Sequence, residues 1–586
     1  MPKSSLMSRK IFFGLTIMAL LLVAGFRYAT KKNPPMKTSR DEVYKHRQII
    51  QCSPDWSQLN ADSLANGMGV LPGWGNYRWN INTPNDSARF YFNQGINMYY
   101  AFHIIEAMAS FKKAEQFDNN NAMIYWAQAL AYGPNINDFA YAATPEAFAA
   151  ARKAVSLKNN CSAKEKALIE AMAVRYSPDS TISRSSLNQL YATAMKKSYR
   201  LFAQDADAAT LYADALMLQH PWDYWKHNGE ARPWTPELLA VLEGVIKLHP
   251  DHPGANHYYI HAVEASKNSK RAMASANRLG NLMPGVAHMI HMPSHIYIRN
   301  GKYAAGIRVN EMSVKGYNNY LALYPDVQNN VPLYLIHNLH MQSDCAMMRA
   351  NYSYSNKSAV DCSNSFDTGF LSAPAPLGTY MQYLYMTPTI NNVRFGKWDI
   401  ILNTPPEPGR HVYAAVLWHW ARGMAYAGKN NHTEAAAELK IMQEKMKAPD
   451  MQVVMQPFNS PEDAAKVAEK ILAGTIAEQE NDFKTAIELL KEAVVNEDAM
   501  IYNEPKDWLL PAREYLGKAL LKAGHAENAE KIFKEDLREN PDNHWALYGL
   551  YRALLKQKKN AAATVIKKQF DKAFEGADIL PGDFPF

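Results

Sequence analysis

A chain of 586 residues is longer than one hydrophobic core supports, so it must contain several domains or a repeat array. Its hydrophobic fraction of 47% and charged fraction of 20% exclude a largely disordered protein. The net charge of +7 arises in residues 1–50, where ten basic and two acidic side chains give +8 and leave −1 for residues 51–586. The nearly neutral body has no electrostatic footprint for nucleic acid, and we expect no nucleic-acid partner.

Residues 1–32 are predicted to be a signal or membrane-anchor segment. A run of 16 apolar residues at 11–26 follows three basic side chains, as in an export signal. Arg27 stands where a cleavage site needs a small residue, and it can snorkel if the short run spans a membrane. We therefore expect an uncleaved anchor, attachment to a membrane through this segment, and an exported body. A cleaved signal and a cytoplasmic body are the alternatives.

Residues 33–86 are predicted to be a linker and an irregular lead-in. The stretch 71–80 is rich in Gly, Asn and Trp and has no helical period. Its aromatic side chains are expected to pack on the first repeat that follows.

From residue 87 onward the sequence has the spacing of tetratricopeptide (TPR) repeats, which are helix–turn–helix units of 34 residues. In each unit a glycine precedes an alanine by twelve positions and a large apolar residue by sixteen. Small residues are needed where the two helices of a hairpin cross closely. The matching units are Gly95 with Ala107 and Phe111, Gly423 with Ala435 and Leu439, Gly474 with Ala486 and Leu490, and Gly517 with Ala529 and Phe533. The predicted fold is an all-α, TPR-like α-solenoid.

Two segments interrupt the helical pattern and suggest domain boundaries. Proline-rich connections at 371–377 and 405–409 predict an N-terminal solenoid at 87–370 and a C-terminal one at 378–575, followed by a tail at 576–586. The aromatic segment 220–234 is bounded by Pro221 and Pro233 and is predicted to be a loop between helices.

The most informative pattern is a pair of histidine-rich segments that repeat each other. His257 and His261 precede His291 and His295 by 34 residues, the TPR period. Equivalent positions on stacked repeats lie side by side, so these histidines are expected to meet in the concave groove. Helical spacing adds further groups to the same faces, and the predicted metal ligands are His257, His261, Glu264, His288, His291 and His295.

Imidazole-rich sites suit zinc, copper, nickel or iron. A metal-free acid/base or anion-binding site and a merely polar groove are the alternatives. Pro293 lies between two of these histidines and predicts either a kinked helix or one that begins late.

Further residues are predicted to border the groove. The i, i+3 pair His337 and His340 would add a third helix to the groove. Asn135 and Asn137 would lie at its rim. Trp222 and Trp225 would form a lid over it.

Several strings outside the TPR consensus resemble a family of large bacterial TPR proteins of unassigned activity. They are ALAYGPNIN (129–137), PWDYW (221–225), DHPGANHYYIHAVEA (251–265), HMPSHIY (291–297) and HNLH (337–340). The resemblance implies a TPR-like body in a bacterial cell envelope. Members of the family tend to carry one histidine in the lead-in and another shortly before the position of Glu106. This chain lacks the first, and His103 is displaced from the position of the second. Any role of those histidines is therefore altered here.

Two functions remain open from the sequence. The first is an envelope-tethered scaffold that binds a protein, a peptide or a small ligand in its His-rich groove, with or without a metal ion. The second is a metal-dependent enzyme, hydrolytic or redox, in which the ion activates its substrate in the groove. Phosphate-binding loops, serine elbows and the His-Glu-x-x-His motif are absent from the sequence, which argues against nucleotide enzymes and standard zinc proteases.

Overall fold

Antiparallel helices connected by short turns make up the described part of the chain. The computed structural model describes residues 59–138, 143–323, 331–366, 369–406, 409–504 and 506–579, together with Pro54, Trp56 and Tyr141. No helix in these ranges combines the length and the apolar character that a membrane span requires. The anchor predicted at 11–26 lies outside the described residues and stays a prediction.

The first sixteen helices contain all the predicted site residues or border the loops that carry them. They are α1 (Ala61–Gly67), α2 (Asp86–Tyr100), α3 (Ile104–Phe117), α4 (Ala122–Ala131), α5 (Pro145–Leu157), α6 (Ala163–Ala173), α7 (Arg184–Leu201), α8 (Ala206–Gln219), α9 (Thr235–Leu248), α10 (Pro253–Val263), α11 (Met273–Leu282), α12 (Ala287–His291), α13 (Pro293–Arg299), α14 (Tyr303–Leu323), α15 (Val331–Met348) and α16 (Tyr352–Asn364).

The remaining helices continue the array. They are α17 (Leu377–Tyr385), α18 (Thr387–Arg394), α19 (Trp398–Asn403), α20 (Val412–Gly428), α21 (His432–Lys445), α22 (Pro461–Gln479), α23 (Phe483–Ala499), α24 (Ala512–Lys522), α25 (Ala526–Glu539), α26 (His544–Lys556) and α27 (Asn560–Ala573).

The four units predicted from sequence are helical hairpins: α2–α3, α20–α21, α22–α23 and α24–α25. The glycines lie where the prediction requires a small residue. A Cβ atom on Gly95 would be 2.4 Å from the Phe111 ring, and one on Gly517 would be 2.4 Å from the Phe533 ring. The all-helical, TPR-like solenoid is therefore confirmed. Within the described ranges the β-structure is one isolated bridge, between Trp225 and Ala231 in the predicted loop.

The lead-in packs on the first hairpin, as expected, but it is not wholly irregular. Helix α1 begins after Asn60, whose side chain accepts a hydrogen bond from the Ser63 amide. Further along, the Trp79 amide donates to Asn93 on α2 at 2.6 Å. The helix was missed because seven residues are too few for a periodic pattern to be visible.

The histidine-bearing helices are the first helices of three consecutive hairpins: α10, the pair α12–α13, and α15. The break predicted at Pro293 is present, since α12 ends at His291 and α13 begins at Pro293. Met292 between them keeps helical backbone angles, with φ −49° and ψ −35°. The proline therefore splits the helix, although the residue between the two halves keeps a helical conformation.

The last helices return to the middle of the chain. The Trp545 indole on α26 donates to the Met347 carbonyl on α15 at 2.9 Å. The buried Arg394 on α18 pairs with Glu514 on α24. These contacts pack the C-terminal helices against the helices that carry the histidines.

Candidate metal centre

Six histidine side chains converge in two groups of three. Triad one is His257, His261 and His288, and triad two is His291, His295 and His337. Within each triad one nitrogen of every ring lies within 4.8 Å of the other two. Helices α10, α12, α13 and α15 therefore supply three potential nitrogen ligands to each of two points.

In triad one the central ring is His257. Its Nε2 atom lies 3.1 Å from Nε2 of His261 and 3.2 Å from Nε2 of His288. His257 and His261 are four residues apart on α10, so they share one helix face. His288 reaches them from α12 in the next hairpin.

Triad two has the same arrangement around His291. Its Nε2 atom lies 2.9 Å from Nε2 of His295 and 3.0 Å from Nε2 of His337. His291 and His295 come from either side of the break at Pro293, and His337 comes from α15.

Hydrogen bonds behind the rings fix which nitrogen carries the proton. His257 Nδ1 donates to the Tyr100 carbonyl at 2.7 Å, and His261 Nδ1 donates to Glu264 at 3.0 Å. His291 Nδ1 donates to Oδ1 of Asn310. The amide group of that asparagine is oriented by its own bond to the Gly306 carbonyl. With Nδ1 protonated, the Nε2 atom of each neutral ring presents a lone pair to its triad.

The unprotonated Nε2 atoms of His257 and His261 therefore lie 3.1 Å apart, and two such lone pairs repel each other. A transition-metal ion relieves the repulsion by accepting both lone pairs. Tetrahedral zinc with Zn–N distances of about 2.0–2.1 Å separates its nitrogen ligands by roughly 3.3–3.4 Å. The separations from the central ring of each triad, 2.9–3.2 Å, are close to that value, and the third nitrogen pair of each triad lies within 4.8 Å.

Burial keeps most of these imidazoles neutral, which is the form that binds metal. Desolvation, reinforced by neighbouring histidines, holds the pKa of His257, His288, His291 and His337 well below the usual 6.5. His295 differs: burial opposes its protonation, but the nearby Glu264 carboxylate outweighs burial and raises its pKa.

One carboxylate joins the two triads. Glu264, 1% exposed, accepts from His261 Nδ1 through Oε1 and from His295 Nδ1 through Oε2. Burial alone would raise the pKa of Glu264, but the charge on His295 and the two hydrogen bonds lower it to about 2. Glu264 is therefore an ionised orienting group behind the rings, and its oxygens are already used.

Phe102 closes one side of triad one. Its ring centroid lies 4.6 Å from that of His257 and 6.1 Å from that of His288. The residue has a left-handed φ of 58° just after α2. The Phe102 amide bonds to the Tyr99 carbonyl and the next amide bonds to the Met98 carbonyl, the pattern of a helix-ending motif that favours glycine. Here a phenylalanine occupies the glycine position and its ring covers the histidines.

A cavity of about 150 Å³ adjoins both triads on the other side. Four of the six histidines line it: His261, His288, His295 and His337. The rest of the wall is mostly apolar and comes from Trp222, Leu333, Tyr334, Leu377, Tyr380, Met381, Leu384, Met455 and Phe458, with Asn137, Asn503 and Glu504 as polar members. A molecule in this cavity would lie beside nitrogens of both triads.

Of the predicted groove residues, some reach the site and others do not. His337 belongs to triad two and Asn137 lines the cavity. Trp222 also lines it, with its ring edge-on to His261 at 5.0 Å. Trp225 instead donates to the Ala262 carbonyl and clamps its loop to α10. His340 is separate, since its Nδ1 bonds to Thr387 on α18 at 2.8 Å.

Asn135 also has a structural role, because its side chain accepts from the Asn137 amide and shapes the turn after α4. The displaced His103 bonds to Glu106 at 3.1 Å and is not a member of either triad. The expected concave groove is filled at this position: the five triad histidines on α10, α12 and α13 are 0–4% exposed. A protein partner therefore cannot contact these rings directly.

Four residues that matter to the site were not predicted from sequence. They are Tyr100, Phe102, Asn310 and Glu504. None recurs at the repeat period: Tyr100 and Phe102 act from the turn of the α2–α3 hairpin, Asn310 from α14, and Glu504 from the loop after α23. Burial raises the pKa of Glu504 in the cavity wall to about 7, despite the opposing charge of His295.

No protein-family model matches the chain, and no curated protein matches it. Among solved structures, the human IFIT1 dimer with m7Gppp-AAAA aligns at a TM-score of 0.31 and 12% identity over 92% of this chain and 100% of that one. Yeast Tom70 aligns at a TM-score of 0.26 and 12% identity, over 83% of this chain and 93% of that one. The APC/C hetero-tetramer Cut9–Hcn1 aligns at a TM-score of 0.27 and 12% identity, over 86% of this chain and 95% of that one. Such low scores assign no role to any residue, and the relationship to large bacterial TPR proteins stays a prediction.

Proposed function

We propose that this chain is a metal-dependent enzyme in which each histidine triad binds one transition-metal ion next to the cavity. The observation that supports this most directly is the convergence of three imidazoles at each of two points, with four of the six rings oriented from behind by Tyr100, Asn310 and the shared Glu264. Ligands held in this way are typical of metal sites.

A catalytic rather than structural site fits the number of ligands. Structural zinc sites are closed by four protein ligands, whereas catalytic sites use three and keep a position for water or substrate. Each triad offers three ligands among the described residues, and both border a cavity. Imidazole nitrogens as the sole donors favour copper or zinc over harder ions such as magnesium. Nickel and iron remain within the predicted set.

The scaffold predicted from sequence would bind its partner in the His-rich groove. Because the rings there are buried, we propose a protein- or peptide-binding role for the outer surfaces instead. A TPR-like array can present a protein- or peptide-binding face while its interior holds metal, so the two functions are compatible. Membrane attachment, an envelope location and the lack of a nucleic-acid partner likewise stay predictions.

Metal analysis of the full-length protein tests the proposal. After loading with copper or zinc and desalting, we expect about two ions per chain, one for each triad. The His261→Ala/His295→Ala variant removes one ligand from each triad and should lose most of this metal. His340→Ala is the matched control, because His340 is equally buried but bonds to Thr387 outside the triads. Equal metal content in the double variant and the wild type, both folded by circular dichroism, would refute the proposal.

A further inference from the structure

We infer that the cavity beside the triads binds a small phenol, with the ring packed against Trp222 and Phe458 and the hydroxyl group donating to Glu504. The inference rests on the proposed function, because the phenol would be the molecule presented to the metal pair. Binding itself requires no metal, but the Glu504 side chain must turn its buried Oε1 atom toward the cavity that the residue lines.

The size of the cavity suits a single ring. Its volume is about 150 Å³, and an apolar cavity of about 150 Å³ is known to accommodate benzene. A compact molecule with few atoms beyond the ring therefore fits this space.

The walls favour an aromatic ligand. Trp222 and Phe458 form one corner, with ring centroids 6.1 Å apart and planes inclined by 57°. A third ring can pack edge-on or offset against such a corner. Met381 and Met455 also line the cavity, and thioether groups make favourable contacts with aromatic edges.

Glu504 supplies the polar contact. Its Oε2 atom accepts from the Tyr502 hydroxyl at 2.5 Å. Its Oε1 atom is buried and, among the described residues, has no hydrogen-bond partner. A buried carboxylate oxygen without a donor is costly, and a ligand hydroxyl would satisfy it. The same oxygen would repel a ligand that carries its own carboxylate.

The arrangement also places the ligand where the proposed metals could act. His261 and His295, one from each triad, line the same cavity as Glu504. A phenol with its hydroxyl group at Glu504 would therefore share the cavity with nitrogens of both triads. The C-terminal helices and loops supply most of the groups that recognise it.

Calorimetric titration of the full-length, chelator-treated protein tests the assignment with phenol, toluene and benzoate as probes. At about pH 8.5, where Glu504 with its pKa of about 7 is ionised, phenol should bind at least about tenfold more tightly than toluene, because only phenol donates to a charged acceptor. Benzoate should bind more weakly than either. Leu384→Trp should abolish phenol binding by filling the cavity.

Glu504→Met keeps the side-chain length but removes the acceptor, and it should bring phenol and toluene to similar affinity. Glu480→Met, a change at an exposed carboxylate outside the cavity, is the control and should keep the preference. A phenol preference that survives in Glu504→Met, or equal affinities in the wild type, would overturn the inference.

Metal content measured on the same preparations separates the two proposals. A chain that binds metal but not phenol refutes the ligand assignment alone. A chain that binds phenol with the expected preference but takes up no metal refutes the metal centre and leaves the cavity assignment standing.

Discussion

His257 donates its Nδ1 proton to the carbonyl oxygen of Tyr100 over 2.7 Å, although 157 residues separate the two in the chain. Tyr100 ends α2, where carbonyl groups have no partner within the helix. The bond satisfies this helix end and leaves Nε2 of His257 for triad one. The first hairpin of the array is thereby coupled to the metal centre.

The shared carboxylate should control metal affinity. In Glu264→Gln one of the two acceptor oxygens becomes an amide donor, so His261 or His295 loses its acceptor and must shift its proton to Nε2. We expect affinity to fall by about 10–100-fold, measured by competition with a chromogenic chelator. Glu243→Gln is a suitable control, since Glu243 also accepts bonds from two side chains, Tyr259 and Arg271, but lies outside the centre. Unchanged affinity in Glu264→Gln would contradict the orienting role.

Acid should destabilise the metal-free fold. The pKa values of His257, His288, His291 and His337 are lowered by burial, so below about pH 6.5 the unfolded chain binds protons that the folded chain does not. The free energy of unfolding should therefore fall as the pH falls, by up to about 1.4 kcal/mol per pH unit for each group. His295, with a raised pKa, acts in the opposite direction.

Urea denaturation of metal-free protein at about pH 7.5 and about pH 5.5 measures this dependence. His291→Gln removes one of the four groups and should reduce the loss of stability between the two pH values. A wild-type midpoint that is the same at both pH values would show that the rings are not held neutral.

Alanine substitution can test whether the repeat glycines are needed for close packing, with a glycine that has no close neighbour as the control. A Cβ atom on Gly517 would meet the Phe533 ring at 2.4 Å, so Gly517→Ala should cost about 1–3 kcal/mol through overpacking. Gly244 lies within α9 and has no neighbouring atom within 4 Å of the added carbon. Gly244→Ala should instead stabilise the protein by about 0.5–1 kcal/mol. Chemical denaturation measures both, and the same sign for the two would refute the assigned crossing.

Phe102 should affect the free energy of unfolding in two opposing ways: its buried ring stabilises the fold, and its left-handed backbone destabilises it. Removing its buried ring in Phe102→Ala costs about 3–5 kcal/mol, while the left-handed backbone at φ 58° persists. Phe102→Gly removes the same ring but relieves the backbone, so it should be less destabilising than Phe102→Ala by about 1 kcal/mol. If the alanine variant is the more stable of the two in denaturation experiments, the backbone at this position is not strained.

The repeat period predicted much of the site. Because His261 and His295 occupy equivalent positions 34 residues apart, their meeting at Glu264 follows from stacking of hairpins in register. What the spacing did not predict is the division into two triads. His288 lies one turn before His291 and so faces back to α10, where it joins His257.

Other features depend on contacts that the local pattern does not encode. His340 is one turn from His337, but that turn directs it to Thr387 on α18 and away from the triads. Glu504 follows α23 in a segment without periodicity, and it reaches the cavity only because the C-terminal helices fold back. Long-range packing of this kind is set by the whole array, so a single sequence gives no signal for it.

The cavity draws its nitrogen donors from residues 257–337 and much of its remaining wall, including Met381, Phe458 and Glu504, from later in the chain. In the proposed enzyme, metal binding and substrate selection would therefore depend on separate stretches of the polypeptide. Substitutions at Met381 or Phe458 would change the shape of the cavity while every imidazole stays in place.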